Sequence, residues 1–224
     1  MEIPAHATVL LADDHPMFRA ALRQAVRESL PDCLCIEASD DSTLRSAAEA
    51  HPDTDLVLLD LMMPGSRGFG TLVWLRSQFP AMAVVVVSAS ERVAVMRRAM
   101  AFGAAGYVPK SASLADLVAA IRAVIDCGQS FPPEALVEDP SDAERSPLAA
   151  RLASLTSQQF RVLELLAQGK LNKQIAAELG IIEQTAKAHV SAALAKLGAR
   201  NRTQAVLLFK ELEIHEADPL SFDR

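Results

Sequence analysis

Over the first 128 residues, five short apolar runs alternate with five stretches of helical periodicity, and that alternation leaves few folds open. Residues 8–12 (TVLLA), 33–38, 55–59 (DLVLL), 82–87 (MAVVVV) and 105–108 read as strands. The fourth holds four consecutive valines and no charge, the composition of a strand buried on both faces. Residues 15–29, 42–50, 69–78, 91–101 and 114–127 read as helices, the first with Phe18, Leu22, Ala25 and Val26 at helical spacing. Gly103 and Gly128 stop the last two. The pattern predicts an α/β doubly wound, five-stranded parallel sheet, with its site beyond the carboxyl ends of the strands.

Residues 129–151 break the pattern. They hold Pro132, Pro133, Pro140 and Pro147 among acidic and small residues, and read as a mobile linker. Beyond it, helical patterns at 157–168, 172–179, 183–197 and 202–212 predict a small all-α four-helix domain over 152–215. The first three are stopped by Gly169, Gly180 and Gly198, and 216–224 reads as a frayed tail. Charge follows the same division: residues 1–128 carry 11 basic and 15 acidic side chains, residues 155–215 carry 8 and 5. A basic rear on an acidic chain points toward nucleic acid as a partner of that end. No apolar run approaches the roughly 18–20 residues of a membrane span, and the N-terminus has no basic signal region. The three cysteines, Cys33, Cys35 and Cys127, match no disulfide framework or zinc spacing. A cytoplasmic protein with no membrane partner is expected.

The residues at the predicted strand ends share one chemistry. The first strand runs into Asp13 and Asp14, the third into Asp60, the fourth into Ser88, and Lys110 follows the fifth. Three carboxylates at close quarters repel unless a cation joins them, and an all-oxygen set suits Mg²⁺. With its charge compensated, one carboxylate can act as a nucleophile and form an aspartyl phosphate. Lys110 and Ser88 would then hold phosphoryl oxygens as a point charge and a hydroxyl donor.

Asp13-Asp14, Asp60-Leu61-Met62-Met63-Pro64 with Gly68, Ser88-Ala89 and Lys110 together resemble the receiver domain of two-component response regulators, over residues 7–128. The resemblance implies that Asp60 is the phosphoacceptor and that Asp13, Asp14 and the Met62 backbone carbonyl complete an Mg²⁺ site with it. It also implies that Ser88 and Tyr107 are the switch pair and that Lys110 pairs with the phosphoryl group. Ser111 stands where proline often follows this lysine. Aspartate-dependent phosphatases of similar architecture place a second aspartate two residues after the nucleophile; here that residue is Met62, which argues against a true enzyme.

In the rear domain, Gly180-Ile181-Ile182 separates two helices at helix-turn-helix spacing, the later helix being the one that enters a major groove. Lys187 and Lys196 lie on that helix, with Lys170, Lys173, Arg200 and Arg202 nearby, and Ala188 and Ser191 leave room for base edges. Leu155-Thr156, Glu164 to Gly169, Asn172 to Ala176, Thr185 to His189, Lys196-Leu197-Gly198 and Asn201 to Ala205 resemble a LuxR-type helix-turn-helix, so the whole chain resembles the NarL/FixJ class of response regulators. That resemblance implies base or backbone contacts from Lys187, Ala188 and Ser191, phosphate contacts from Lys173, Thr185 and Lys196, and a dimer contact from 202–212. Three positions depart from it: Ile182 replaces the usual capping serine, Ala186 a valine, and Ser157-Gln158-Gln159 the usual start of the first helix. The expected function is a DNA-binding transcription regulator switched by phosphoryl transfer from a sensor histidine kinase and homodimeric when active. The alternatives are a regulator indifferent to phosphorylation and a protein-interaction adaptor with weakened DNA binding.

Overall fold

The computed structural model describes residues 7–66, 68–137 and 146–213. Five parallel strands form one sheet in the order β2-β1-β3-β4-β5: β1 (Thr8–Ala12), β2 (Leu34–Ala38), β3 (Leu56–Leu59), β4 (Ala83–Ser88) and β5 (Gly106–Pro109). The helices α1 (Pro16–Ser29), α2 (Asp41–Ala50), α3 (Phe69–Gln78), α4 (Val93–Ala101) and α5 (Leu114–Cys127) cross between them. Leu10, Val57, Val84 and Val86 face α2, α3 and α4, while Val9, Leu11, Leu58, Val85 and Val87 face α1 and α5. Both faces of the central strands are therefore core, which is why their sequences are apolar without alternation.

The segment read as a linker is largely ordered where it is described. Ser130 pairs with Gly106 beside β5, and Pro133–Leu136 forms a 3-10 turn. Residues Ser146–Ala153 form a helix, α6, that precedes the four expected ones. The prolines that suggested loop stand at element starts, Pro133 opening the turn and Pro147 the first turn of α6, where a missing N–H costs nothing. Residues 138–145 and the tail at 216–224 lie outside the described residues.

The rear helices are α7 (Ser157–Ala167), α8 (Asn172–Leu179), α9 (Glu183–Leu197) and α10 (Arg202–Lys210). Thr156 caps α7 through a reciprocal pair with Gln159, and Asn201 caps α10 by accepting from the Gln204 N–H. Phe160 and Phe209 meet edge to face, centroids 5.9 Å apart. Their cluster is continuous with the front domain's: Trp74, Phe69, Leu148, Leu152, Leu163 and Leu212 belong to one buried apolar body. Each such side chain, fully removed from water, contributes about 1.5–3 kcal/mol.

Polar contacts tie the same seam. The Arg45 guanidinium bonds Asp41 at 2.7 Å on its own helix and Glu164 on α7 at 2.6 and 3.2 Å, and lies 4.6 Å from the Trp74 ring centre. Burial works against its charge, but Glu164 and Asp41 outweigh that and hold it above the ordinary arginine value. The Phe69 N–H, at the start of α3, donates to the Leu212 carbonyl at 2.9 Å.

Candidate functional site

The strand ladder delivers the acids to one edge. The Asp60 N–H bonds the Ala12 carbonyl at 2.8 Å and the Asp13 N–H bonds the Ala38 carbonyl at 3.1 Å, so the carboxyl ends of β1 and β3 lie side by side. The Lys110 N–H bonds the Ser88 carbonyl at 2.7 Å and fixes the β5–α5 loop against β4. Asp13, Asp60 and Ser88 are buried at 0%, 3% and 1% exposure, an arrangement unaffordable for two carboxylates without compensation.

Lys110 supplies part of it. Its Nζ lies 2.6 Å from Asp13 Oδ2 and 2.8 Å from Asp60 Oδ2, and 4.7 Å from the Phe18 ring centre. Burial disfavours its charge, but bonding to Asp13 and Asp60 outweighs this and holds the ammonium above the ordinary lysine value. Asp60 Oδ1 accepts the Met62 N–H at 3.0 Å. The Asp13 main-chain carbonyl accepts from Arg19, and its Oδ1 accepts the His15 N–H at 2.8 Å.

One lysine does not balance the acids. Ligand atoms of Asp13, Asp14, His15 and Asp60 all lie within 4.8 Å of one another, and the buried Asp13 Oδ2 has the Lys110 ammonium beside it. His15 Nδ1 lies 2.7 Å from Asp14 Oδ1. Hard carboxylate oxygens with spare lone pairs fit a hard divalent cation. His15 was not singled out in the sequence; its adjacency to the acid pair was the available signal. The exposed Met17 and half-exposed Met62 rim the opening.

Ser88 lies behind the acids, its Oγ accepting the Ser90 N–H at 3.3 Å. The Tyr107 ring is buried and its hydroxyl donates to the Ser90 carbonyl at 2.6 Å. Burial, against opposing hydrogen bonds from Ser88 and Ser90, raises that hydroxyl above the ordinary tyrosine value. All five side chains expected at the strand ends, and Tyr107, thus converge on this edge.

The second set of expected residues lies on α8 and α9. Lys187, Ala188 and Ser191 are exposed at the i, i+1 and i+4 spacing of one helix face, while Thr185 is half-buried and Lys173 is exposed near the start of α8. Lys187 pairs with Glu183 at 2.8 Å, which holds that carboxyl below the ordinary glutamate range. The Lys196 amine donates to the Ser154 carbonyl at 2.7 Å. Ile182 is 71% exposed and gives α9 no side-chain cap, and Ala186 is fully buried.

Residues 9–122 match the response regulator receiver domain, and residues 153–209 match the bacterial regulatory proteins of the luxR family. The glycerol metabolism activator of Pseudomonas putida is 38% identical over 89% of this chain and 93% of its own length. The nitrate/nitrite response regulator protein NarL of Escherichia coli strain K12 is 36% identical over 90% and 94%. Among solved structures, the RcsB response regulator of Salmonella typhimurium aligns with a TM-score of 0.52 over 92% of this chain and 98% of that one, at 24% identity, a likeness of fold.

Proposed function

This chain belongs to the response regulators that join a receiver domain to a LuxR-type DNA-binding domain, and from that premise we infer that it is a transcription regulator switched by phosphorylation of Asp60. The supporting observation is the buried cluster of Asp13, Asp14 and Asp60 around Lys110. In this reading residues 1–128 form the receiver, 129–151 the linker and 152–215 the DNA-binding domain.

Asp13, Asp14, Asp60 and the Met62 carbonyl would hold Mg²⁺, which, when bound, offsets the carboxylate charge and draws in phosphoryl oxygens. An Asp60 carboxylate oxygen attacks phosphorus as the nitrogen–phosphorus bond of a kinase phosphohistidine breaks; the imidazole leaves with the electron pair and takes a proton. Lys110, already 2.8 Å from Asp60, transfers its contact to a phosphoryl oxygen, and the Ser88 hydroxyl donates to another. Tyr107 then releases the Ser90 carbonyl and follows Ser88 inward, reshaping the start of α4. The protein accepts a phosphoryl group without turning over a substrate. The active form is a homodimer joined through α10, placing two copies of α9 on paired half-sites, with Lys187, Ala188 and Ser191 at bases or nearby backbone and Lys173, Thr185 and Lys196 at phosphates. Its place is the cytoplasm, where kinase and DNA are both available; among the described residues no helix is long and apolar enough to cross a membrane.

The uncapped start of α9 favours a second reading, an adaptor with weakened DNA binding. Native mass and duplex binding, for wild type and Asp60→Ala with Mg²⁺ and a small phosphodonor, separate the two. Wild type should gain the mass of one phosphoryl group, dimerise and bind duplex DNA more tightly, with none of these in the variant. Equal DNA binding by both would make the receiver a passive unit, and no DNA binding in any state would establish the adaptor.

A further inference from the structure

β5 is an edge of the sheet, and the chain itself covers it. Past α5 the backbone turns at Gly128, in the left-handed region at φ 82, and returns alongside. The Tyr107 N–H donates to the Ser130 carbonyl and the Ser130 N–H to the Ala105 carbonyl, both at 2.9 Å. Phe131 packs on the core face that α4 covers, and the turn Pro133–Leu136 lies against α4 with Ala135 buried to 3%. The approach is close enough to require glycine: a Cβ on Gly106 would stand 2.8 Å from the Ser130 oxygen and 3.2 Å from Val124.

Tyr107 is thus held on two sides. Its hydroxyl binds the Ser90 carbonyl in the loop before α4, and its main-chain N–H binds Ser130 in the segment leading to the DNA-binding domain. We propose that residues 130–136 are a strap whose seat on β5 and α4 is set by Tyr107 and which keeps the DNA-binding domain against the receiver in the resting protein. Its release in the active protein rests on the reading of Asp60 and Tyr107 above.

Chain length shows what the strap controls. Docked, it leaves only residues 137–145 between Leu136 and Ser146, a reach of at most about 35 Å at 3.3–3.6 Å per residue. Undocked, the span starts at Gly128 and reaches about 60 Å. A shorter tether raises the effective concentration of the seam contacts, among them Phe69 to Leu212.

Amide hydrogen exchange on the full chain, followed by NMR, reads strap and seam separately. The Tyr107 and Ser130 N–H groups report the strap, and the Phe69 N–H reports the seam. Ser130→Pro deletes the strap's donor outside the sheet, and Gly106→Ala pushes the strap off from the other side. Both variants should speed exchange at Tyr107 and Phe69 severalfold while leaving Leu10 in β1, two strands away from β4, unchanged. Beryllofluoride with Mg²⁺ should do the same in wild type, at Ser130 as well, and do nothing in Asp60→Ala. Unchanged Phe69 exchange in Ser130→Pro would overturn the proposal. So would a beryllofluoride response at Phe69 with Tyr107 and Ser130 still protected, which would leave the phosphorylation reading standing. A wild type deaf to beryllofluoride whose Ser130→Pro variant still loosens Phe69 would keep the strap as a holding device and remove the phosphorylation reading instead.

Discussion

Arg45 and Glu164, 119 residues apart, meet through contacts of 2.6 and 3.2 Å across the seam between receiver and DNA-binding domain. Asp41 shares the same guanidinium, and the Trp74 ring lies beneath it.

That sharing makes the two ends of the pair unequal. Removing Glu164 leaves Arg45 with Asp41 and Trp74, whereas removing Arg45 takes the shared cation from Asp41 and Glu164 together. Arg45→Ala should therefore destabilise the full chain more than Glu164→Ala, with a coupling of about 1 kcal/mol in a double-mutant cycle read by urea unfolding. Equal single-mutant effects and no coupling would mean that the apolar seam alone carries the contact.

At the phosphoacceptor, Lys110→Ala strips the charge partner shared by Asp13 and Asp60. The metal-free variant should lose about 1–3 kcal/mol. Added Mg²⁺ should raise its melting temperature more than that of wild type, because the cation then compensates carboxylates that nothing else does. Asp13→Asn should weaken Mg²⁺ binding about tenfold, the order of a lost ligand or orienting contact. An equal Mg²⁺ response in Lys110→Ala and wild type would show that the lysine and the cation do not share this charge.

Ile182 already has extended backbone geometry, φ −76 and ψ 153, at the start of α9. Ile182→Ser should supply the missing cap and add about 0.5–2 kcal/mol. For a chain of this size that is a rise in melting temperature of about 2–4 °C per kcal/mol. No rise would mean that the first turn of α9 is satisfied without a side-chain acceptor.

On the DNA face, Lys173→Ala should flatten the slope of log affinity against log salt by about 1, the signature of one lost phosphate contact. Lys196→Ala should change it less, because its amine is engaged by the Ser154 carbonyl. The opposite ranking would mean that α9 docks through its carboxyl-terminal half.

The Glu183–Lys187 pair also fixes a pH dependence. Its folded-state carboxyl titrates below the ordinary glutamate value, so the stabilisation is present above about pH 4.3 and is lost as pH falls through the lower, folded value. Glu183→Gln should abolish that increment of acid sensitivity in a melting series between about pH 3 and 5. An unchanged series would place the acid sensitivity elsewhere.

The site was legible because its residues sit at strand ends, and strands buried on both faces announce themselves as apolar runs. Residues 83–88 are readable as a strand from their valines, and Ser88 follows from where the run stops. The seam was not legible. Nothing local in α2 around Arg45 names a partner 119 residues away. The strap was hidden for a different reason: its turn begins at prolines, which in a sequence mark loops and helix starts alike. Of the DNA-face lysines, spacing alone could not show that Lys196 points back toward Ser154.

The apolar body that runs from Phe69 and Trp74 through Leu152 to Phe160 and Leu212 has a thermodynamic consequence. A shared interior makes the melting of either domain expose surface on the other. The resting protein should show a single calorimetric transition with matching calorimetric and van't Hoff enthalpies, although it is built from two folds. Once the seam parts, the same chain should melt in two steps, the small helical domain first, having lost the Trp74 side of its core. The heat capacity trace thus becomes a direct reading of whether the chain is behaving as one body or two.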